Sequence, residues 1–127
     1  MTYSIVARDP ETGVMGVATQ SQAFAVGNSV PFALPGHGVI ATQSMAEPMY
    51  GAVGLDLLRG GFTAQEVLTA LSSVDPQPES RQVAVLGLRN VAVVQTDDAI
   101  LVLDLAQSQR VKDVVARLKD AGRDDLL

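Results

Sequence analysis

The chain opens on a strand pattern. Thr2 to Arg8 is rich in β-branched and aromatic residues, Asp9-Pro10-Glu11-Thr12-Gly13 carries turn chemistry, and Val14 to Gln20 reads as the returning strand. This tight hairpin, Tyr3 to Gln20, is the expected sheet centre onto which later strands and helices assemble. Gln22 to Ser29 is a run of small residues, and the two prolines of Val30 to Pro35 exclude a regular central strand or helix there. Pro35-Gly36-His37-Gly38 predicts a turn, and Val39 to Ser44 a third strand.

The period then changes. Met49, Val53 and Leu57 recur every four residues from Pro48 to Arg59, and Gly60-Gly61 stops the run, which predicts a helix. Its small residues Gly51, Ala52 and Gly54 suit close approach to a sheet, although the glycines lower helix propensity. Thr63 followed by Glu66 is a capping box that opens a second helix, with Val67, Leu68, Leu71 and Val74 as its apolar stripe and Asp75 to Pro78 as its end. Gln82 to Leu88 and Val91 to Gln95 predict an antiparallel pair joined by Arg89-Asn90. Ala99 to Leu103 reads as a buried strand. Ser108 then opens an amphipathic helix with Val111, Val114, Val115 and Leu118 on one face, stopped at Gly122.

Charge marks the one boundary in the pattern: 11 charged residues lie in positions 1–95 and 12 in positions 96–127. The expected organisation is a core over 1–95, with 96–127 a strand and helix packed on that same core. At 127 residues the chain has the length of one domain, able to bury well over half of its unfolded surface.

Composition removes several function classes. A net charge of -5 argues against nucleic acid, whose phosphates require clustered Lys and Arg. Without Cys there is no disulfide, thiolate nucleophile or thiolate zinc site, and no calcium-loop spacing is present, so no metal or other cofactor is expected. No apolar run approaches the ~20 residues of a membrane span, and no basic, apolar leader opens the chain, so a cytoplasmic protein is the default expectation. Asp97-Asp98 reads as a solvated turn, and His37, the single histidine, as an exposed turn residue rather than a catalytic one.

Two features carry chemistry. Thr2 follows Met1 directly, and removal of Met1 would place a hydroxyl nucleophile and a free amine on one residue. The second and third strands end in the same tetrapeptide, Ala18-Thr19-Gln20-Ser21 and Ala41-Thr42-Gln43-Ser44. Either Thr and Ser simply suit half-exposed strand ends, or Gln20, Ser21, Gln43 and Ser44 line a common cleft as neutral donors and acceptors.

The first ninety or so residues resemble the domain of unknown function 1028 family, whose fold is similar to that of N-terminal nucleophile (Ntn) hydrolases. The resemblance rests on Met1 to Gly13, Phe24 to Gly27 with Val30-Pro31, Gly36 to Gln43, Pro48, Tyr50-Gly51, Gly54, Leu57 to Arg59, Asp75 and Arg81-Gln82. It implies an α/β (α+β) αββα layered sandwich of mainly antiparallel sheets, truncated relative to the family, with a helical pair and a C-terminal helix. Thr2 takes the nucleophile position, its amine is the base, and Ser4, Gln20, Ser21, Gln43 and Ser44 bind a small amide or peptide substrate. An α-amine with a pKa of about 7.7–8.0 suits that role. The lysine that proteasome-like relatives carry beside the nucleophile has no counterpart, since the first Lys is Lys112. Residues 90–123, through Val94 to Val102 and Gln109 to Val115, resemble the end of the nucleotidyltransferase domain of mannose-1-phosphate guanylyltransferases, without their Gly-rich loop. Two resemblances meeting at the charge boundary imply a chimeric chain. The alternative to a hydrolase is a noncatalytic αβ scaffold, whose remaining apolar face is covered by the tail or by another copy in a homo-oligomer.

Overall fold

The computed structural model describes residues 1–88, 91–95, 100–104 and 109–122. β1 (Thr2–Arg8) and β2 (Met15–Ser21) form the hairpin, with Thr2 opposite Ser21 and Arg8 opposite Met15. Its turn is built by Asp9, whose carboxylate accepts from the Glu11 amide at 2.9 Å and the Thr12 hydroxyl at 2.8 Å, while Gly13 takes φ +74°. Those bonds hold the Asp9 carboxyl below its usual range, the Thr12 hydroxyl contributing most.

A second sheet has the order β3 (Pro31–Leu34), β4 (Gly38–Ser44), β5 (Arg81–Gly87), β6 (Val91–Gln95), β7 (Ile100–Asp104), every neighbour antiparallel. The proline-containing stretch is not a central strand but an edge strand, with Pro31 as its first residue, where a missing N–H costs no ladder bond. The hairpin is not the sheet centre. β4, β5 and β6 are the interior strands, each with partners on both sides, whereas β1 and β2 pair only with each other.

Alternation along β4 and β5 sorts two faces. Ile40, Val83 and Val85, with Val93 of β6, pack beneath α1 (Pro48–Arg59) and α2 (Ala64–Val74) in a core completed by Tyr50, Leu58, Val67, Leu68 and Leu71. On the opposite face Val39 and Leu86 meet Val6, Met15 and Val17 of the hairpin and Leu103 of β7. The layers are thus helices, five-stranded sheet and hairpin. The outer side of the hairpin is open, with Tyr3 60% and Ile5 63% exposed, so the fourth layer implied by an αββα sandwich is not among the described residues.

Local signals place the helices. The Glu47 carboxylate accepts from the Met49 amide at the start of α1, and Pro48 occupies its first turn. The capping box of α2 is complete: Thr63 Oγ1 accepts from the Glu66 amide and Glu66 Oε2 accepts from the Thr63 amide at 2.7 Å. Helix α3 (Val111–Asp120) follows β7, and Val111 and Val114 share an open cleft of about 260 Å³ with Leu101, Val102 and Leu103. The Arg89-Asn90 turn, Asp97-Asp98 and the Ser108 helix start lie outside the described residues, and Gly122 after α3 takes φ +67°.

Candidate functional site

The interface between the hairpin and the five-stranded sheet changes character along its length. At one end it is apolar, through Val6, Met15, Val17, Val39 and Leu86. At the other end the inward positions of all four strands become hydroxyls and carboxamides, and there they form one connected network.

Thr2 Oγ1 lies 3.0 Å from Ser21 Oγ, its cross-strand partner, and Ser21 Oγ also accepts from the Ala23 amide at 3.1 Å. One step along, Ser4 is opposite Thr19, and their hydroxyls are 3.0 Å apart. Gln43 reaches up from β4 and ties the two sheets together. Its Oε1 accepts from Ser4 Oγ at 2.7 Å, and its Nε2 donates to the Thr2 carbonyl at 3.1 Å and to Gln82 Oε1 at 3.0 Å. Gln82 stands opposite Gln43 in the β4–β5 ladder. A pocket of about 90 Å³ opens beside Ser4, Gln43 and Gln82, floored by Ala41, Val83, Ala84 and Val94.

Of the six residues singled out in the sequence, the structure brings together Thr2, Ser4, Ser21 and Gln43. Gln20 and Ser44 are exposed and make no part of this network. The reason is strand phase. In β2 the inward positions are Thr19 and Ser21, which turns Gln20 out to solvent; in β4 Gln43 faces the hairpin, which turns Thr42 toward the helices. Identical tetrapeptides therefore present opposite halves of themselves. Two members of the network, Thr19 and Gln82, were not singled out in the sequence. Thr19 was legible as the residue two before Ser21; Gln82 is identified only by its register against Gln43.

None of Thr2, Ser4, Thr19, Ser21, Gln43 and Gln82 is ionisable through its side chain near neutral pH. The arrangement can bind neutral polar groups and orient a hydroxyl, but the network itself supplies no side-chain base. Among the described residues no three His, Asp or Glu side chains converge on a metal-sized site. No helix among them is long and apolar enough to cross a membrane.

A buried ion pair lies elsewhere and ties the end of α2 to β5. Asp75 is buried and accepts from Arg81 Nε at 2.8 Å and Nη2 at 3.1 Å, while Arg81 Nη1 donates to the Met45 carbonyl. The Arg81 guanidinium holds the Asp75 carboxyl down to about 2, against the opposing effect of burial. Burial pushes the neighbouring Tyr50 hydroxyl up. His37 is half-buried rather than exposed; its Nδ1 is 3.1 Å from the Pro35 carbonyl, and it lines an apolar cleft with Phe62 and Leu88 at the end of the sheet remote from Thr2.

Comparison with known proteins matches residues 2–118 to the model of a family of unknown function, DUF1028, a match that runs across the charge boundary at residue 95. The crystal structure of protein SPO2555 from Silicibacter pomeroyi, of the same family model, superposes with a TM-score of 0.71 at 31% identity, covering 76% of this chain and 45% of that one. Among curated proteins, the xanthan biosynthesis protein XanB of Xanthomonas campestris pv. campestris is 52% identical over 46 residues, 36% of this chain and 10% of that protein. A protein of Vibrio cholerae provisionally named as a mannose-1-phosphate guanylyltransferase is 39% identical over 57 residues, 45% of this chain and 12% of that protein. The chain thus spans about a tenth of the length of these curated relatives, and the short matches fit the resemblance read in residues 90–123.

Proposed function

Because the chain belongs to the DUF1028 family of unknown function, we propose an activity from its polar site: an amide hydrolase in which Thr2, freed by removal of Met1, is the nucleophile. One observation carries the reading. The Thr2 hydroxyl sits 3.0 Å from Ser21 Oγ at the open end of a neutral network whose Gln43 holds the Thr2 carbonyl, so the hydroxyl is oriented within a network that offers no side-chain base. The α-amine of Thr2 would then be the base.

The steps balance without a cofactor. The amine takes the hydroxyl proton as Oγ1 attacks the substrate carbonyl carbon. Collapse of the tetrahedral intermediate breaks the C–N bond, and the leaving amine departs with that proton. Water, deprotonated by the same α-amine, attacks the ester carbonyl; the acyl C–O bond breaks, the ammonium returns the proton to Thr2 Oγ1, and the acid is released.

The test uses an α′,β′-epoxyketone, which consumes both the hydroxyl and the amine of an N-terminal Thr in one ring and adds its full mass. Protein prepared with Thr2 as its first residue is expected to gain that mass on its N-terminal peptide. The Thr2→Ala protein and the form retaining Met1 are expected to stay unlabelled. An unlabelled Met1-free protein, or equal labelling of Thr2→Ala, overturns the reading.

A second reading, a noncatalytic module that associates with itself, is favoured by the uncovered Tyr3 and Ile5 on the outer face of the hairpin. Light scattering on a size-exclusion column over a concentration series tests it: a dimer that dissociates in Ile5→Lys supports it, and a monomer at high concentration removes it.

A further inference from the structure

The orientation of both carboxamides in the polar network follows from one group. The Thr2 carbonyl can only accept, so the atom of Gln43 that faces it at 3.1 Å is the amide nitrogen. That leaves Gln43 Oε1 facing Ser4, whose hydroxyl is within donating distance of it at 2.7 Å and of Thr19 Oγ1 at 3.0 Å, while the Thr19 hydroxyl donates to the Tyr3 carbonyl at 3.2 Å. The same Gln43 nitrogen lies 3.0 Å from Gln82, which must therefore turn its own oxygen toward Gln43. Gln82 Nε2 is left with two protons and no acceptor among the described residues.

That nitrogen belongs to a residue lining the 90 Å³ pocket, whose other walls are Ser4, Gln43 and the small or apolar Ala84 and Val94. The pocket has room for a group of a few heavy atoms. Among the described residues it has no ionisable wall, so those walls would offer a charged group no counter-charge in return for the water it loses. Ser4 follows Thr2 by two residues on the same strand face, about 7 Å along β1, which is the span of two residues of an extended substrate.

We propose that this pocket is a subsite for a small uncharged acceptor group, a carboxamide or acetyl, whose oxygen is received by Gln82 Nε2. Its role as a substrate subsite rests on the reading of Thr2 as nucleophile; its ability to bind such a group does not. It narrows the substrate class to amides that carry a short neutral polar group about two residues from the scissile bond.

Side-chain amide resonances of the full chain carrying Thr2→Ala, followed during titration with acetamide, acetate and methylammonium, test the assignment. Acetamide is expected to shift the Gln82 amide protons saturably in the millimolar range. Acetate and methylammonium are expected to act at least tenfold more weakly, and Gln82→Leu to abolish the accompanying shift of the Gln43 amide protons in the same pocket while the remaining spectrum is retained. A silent Gln82 amide, or equal response to all three probes, overturns the subsite, and the probe comparison stands even if Gln82→Leu does not fold. Acetamide binding without epoxyketone labelling sinks the nucleophile alone. Labelling without an acetamide response sinks the subsite alone.

Discussion

Replacing Gly51 by Ala sets two opposed effects against each other. In an exposed helix the change gains about 1 kcal/mol of helix propensity. Gly51, however, is buried in α1 directly over Phe32, and a Cβ there would lie 2.1, 2.2 and 2.4 Å from three atoms of the Phe32 ring. Carbon atoms rest about 3.5–4.0 Å apart, so the ring must retreat by more than 1 Å. Forcing one extra methyl into a packed site costs roughly 1–3 kcal/mol, and three simultaneous ring contacts place Gly51→Ala near the upper end. The net expectation is a loss of about 1–2 kcal/mol, near 4 °C in Tm per kcal/mol for a domain of this size. Urea unfolding measures it, and a double-mutant cycle with Phe32→Leu identifies the cause. Removing the ring should rescue Gly51→Ala, with a coupling of about 1 kcal/mol or more. A Gly51→Ala protein that is more stable than the parent, or a loss that Phe32→Leu does not change, would refute the close-approach argument.

Two further outcomes follow from the helix-side core. Thr42 is fully buried and its hydroxyl has no partner among the described residues, so Thr42→Val is expected to stabilise by about 1 kcal/mol in the same urea titration; a destabilised variant would show the hydroxyl to be satisfied. Asp75 is held at about 2 when folded against about 3.9 unfolded, so the unfolded chain binds its proton first as pH falls. Its contribution is fully present above about pH 4 and lost as pH falls toward 2. Tm measured across that window should drop, and Asp75→Asn should be less stable at pH 7 with a flatter pH dependence. Parallel curves for the two proteins would exclude Asp75 as the titrating group.

Local chemistry was legible wherever the determining atoms are neighbours in sequence. The Asp9 to Gly13 turn, the Thr63 and Glu66 capping box and the span of α1 follow from residues within a few positions of one another, and the structure shows them at the positions the sequence indicates. The antiparallel α/β class follows from the same strands and helices, and the family match and superposition agree with it.

The site was only half legible. Thr2 stands out by its position after Met1, yet choosing Ser21 over Gln20 and Gln43 over Ser44 requires knowing which side of each strand meets the other sheet. A one-residue change of phase exchanges those answers without altering any local propensity. Gln82 is beyond local reasoning altogether, because only the pairing of β4 with β5, across 39 positions of chain, places it against Gln43.

The sequence alone therefore determined the elements, their ends and a pool of neutral polar residues. Tertiary structure decided that β4, β5 and β6, not the hairpin, are the sheet interior, and which four of the six selected residues share one network. Capping and turn formation are settled by hydrogen bonds within a few residues, whereas facing and register are settled by which apolar rows bury each other across the chain. Here those rows are Val39 and Leu86 against Val6, Met15 and Val17.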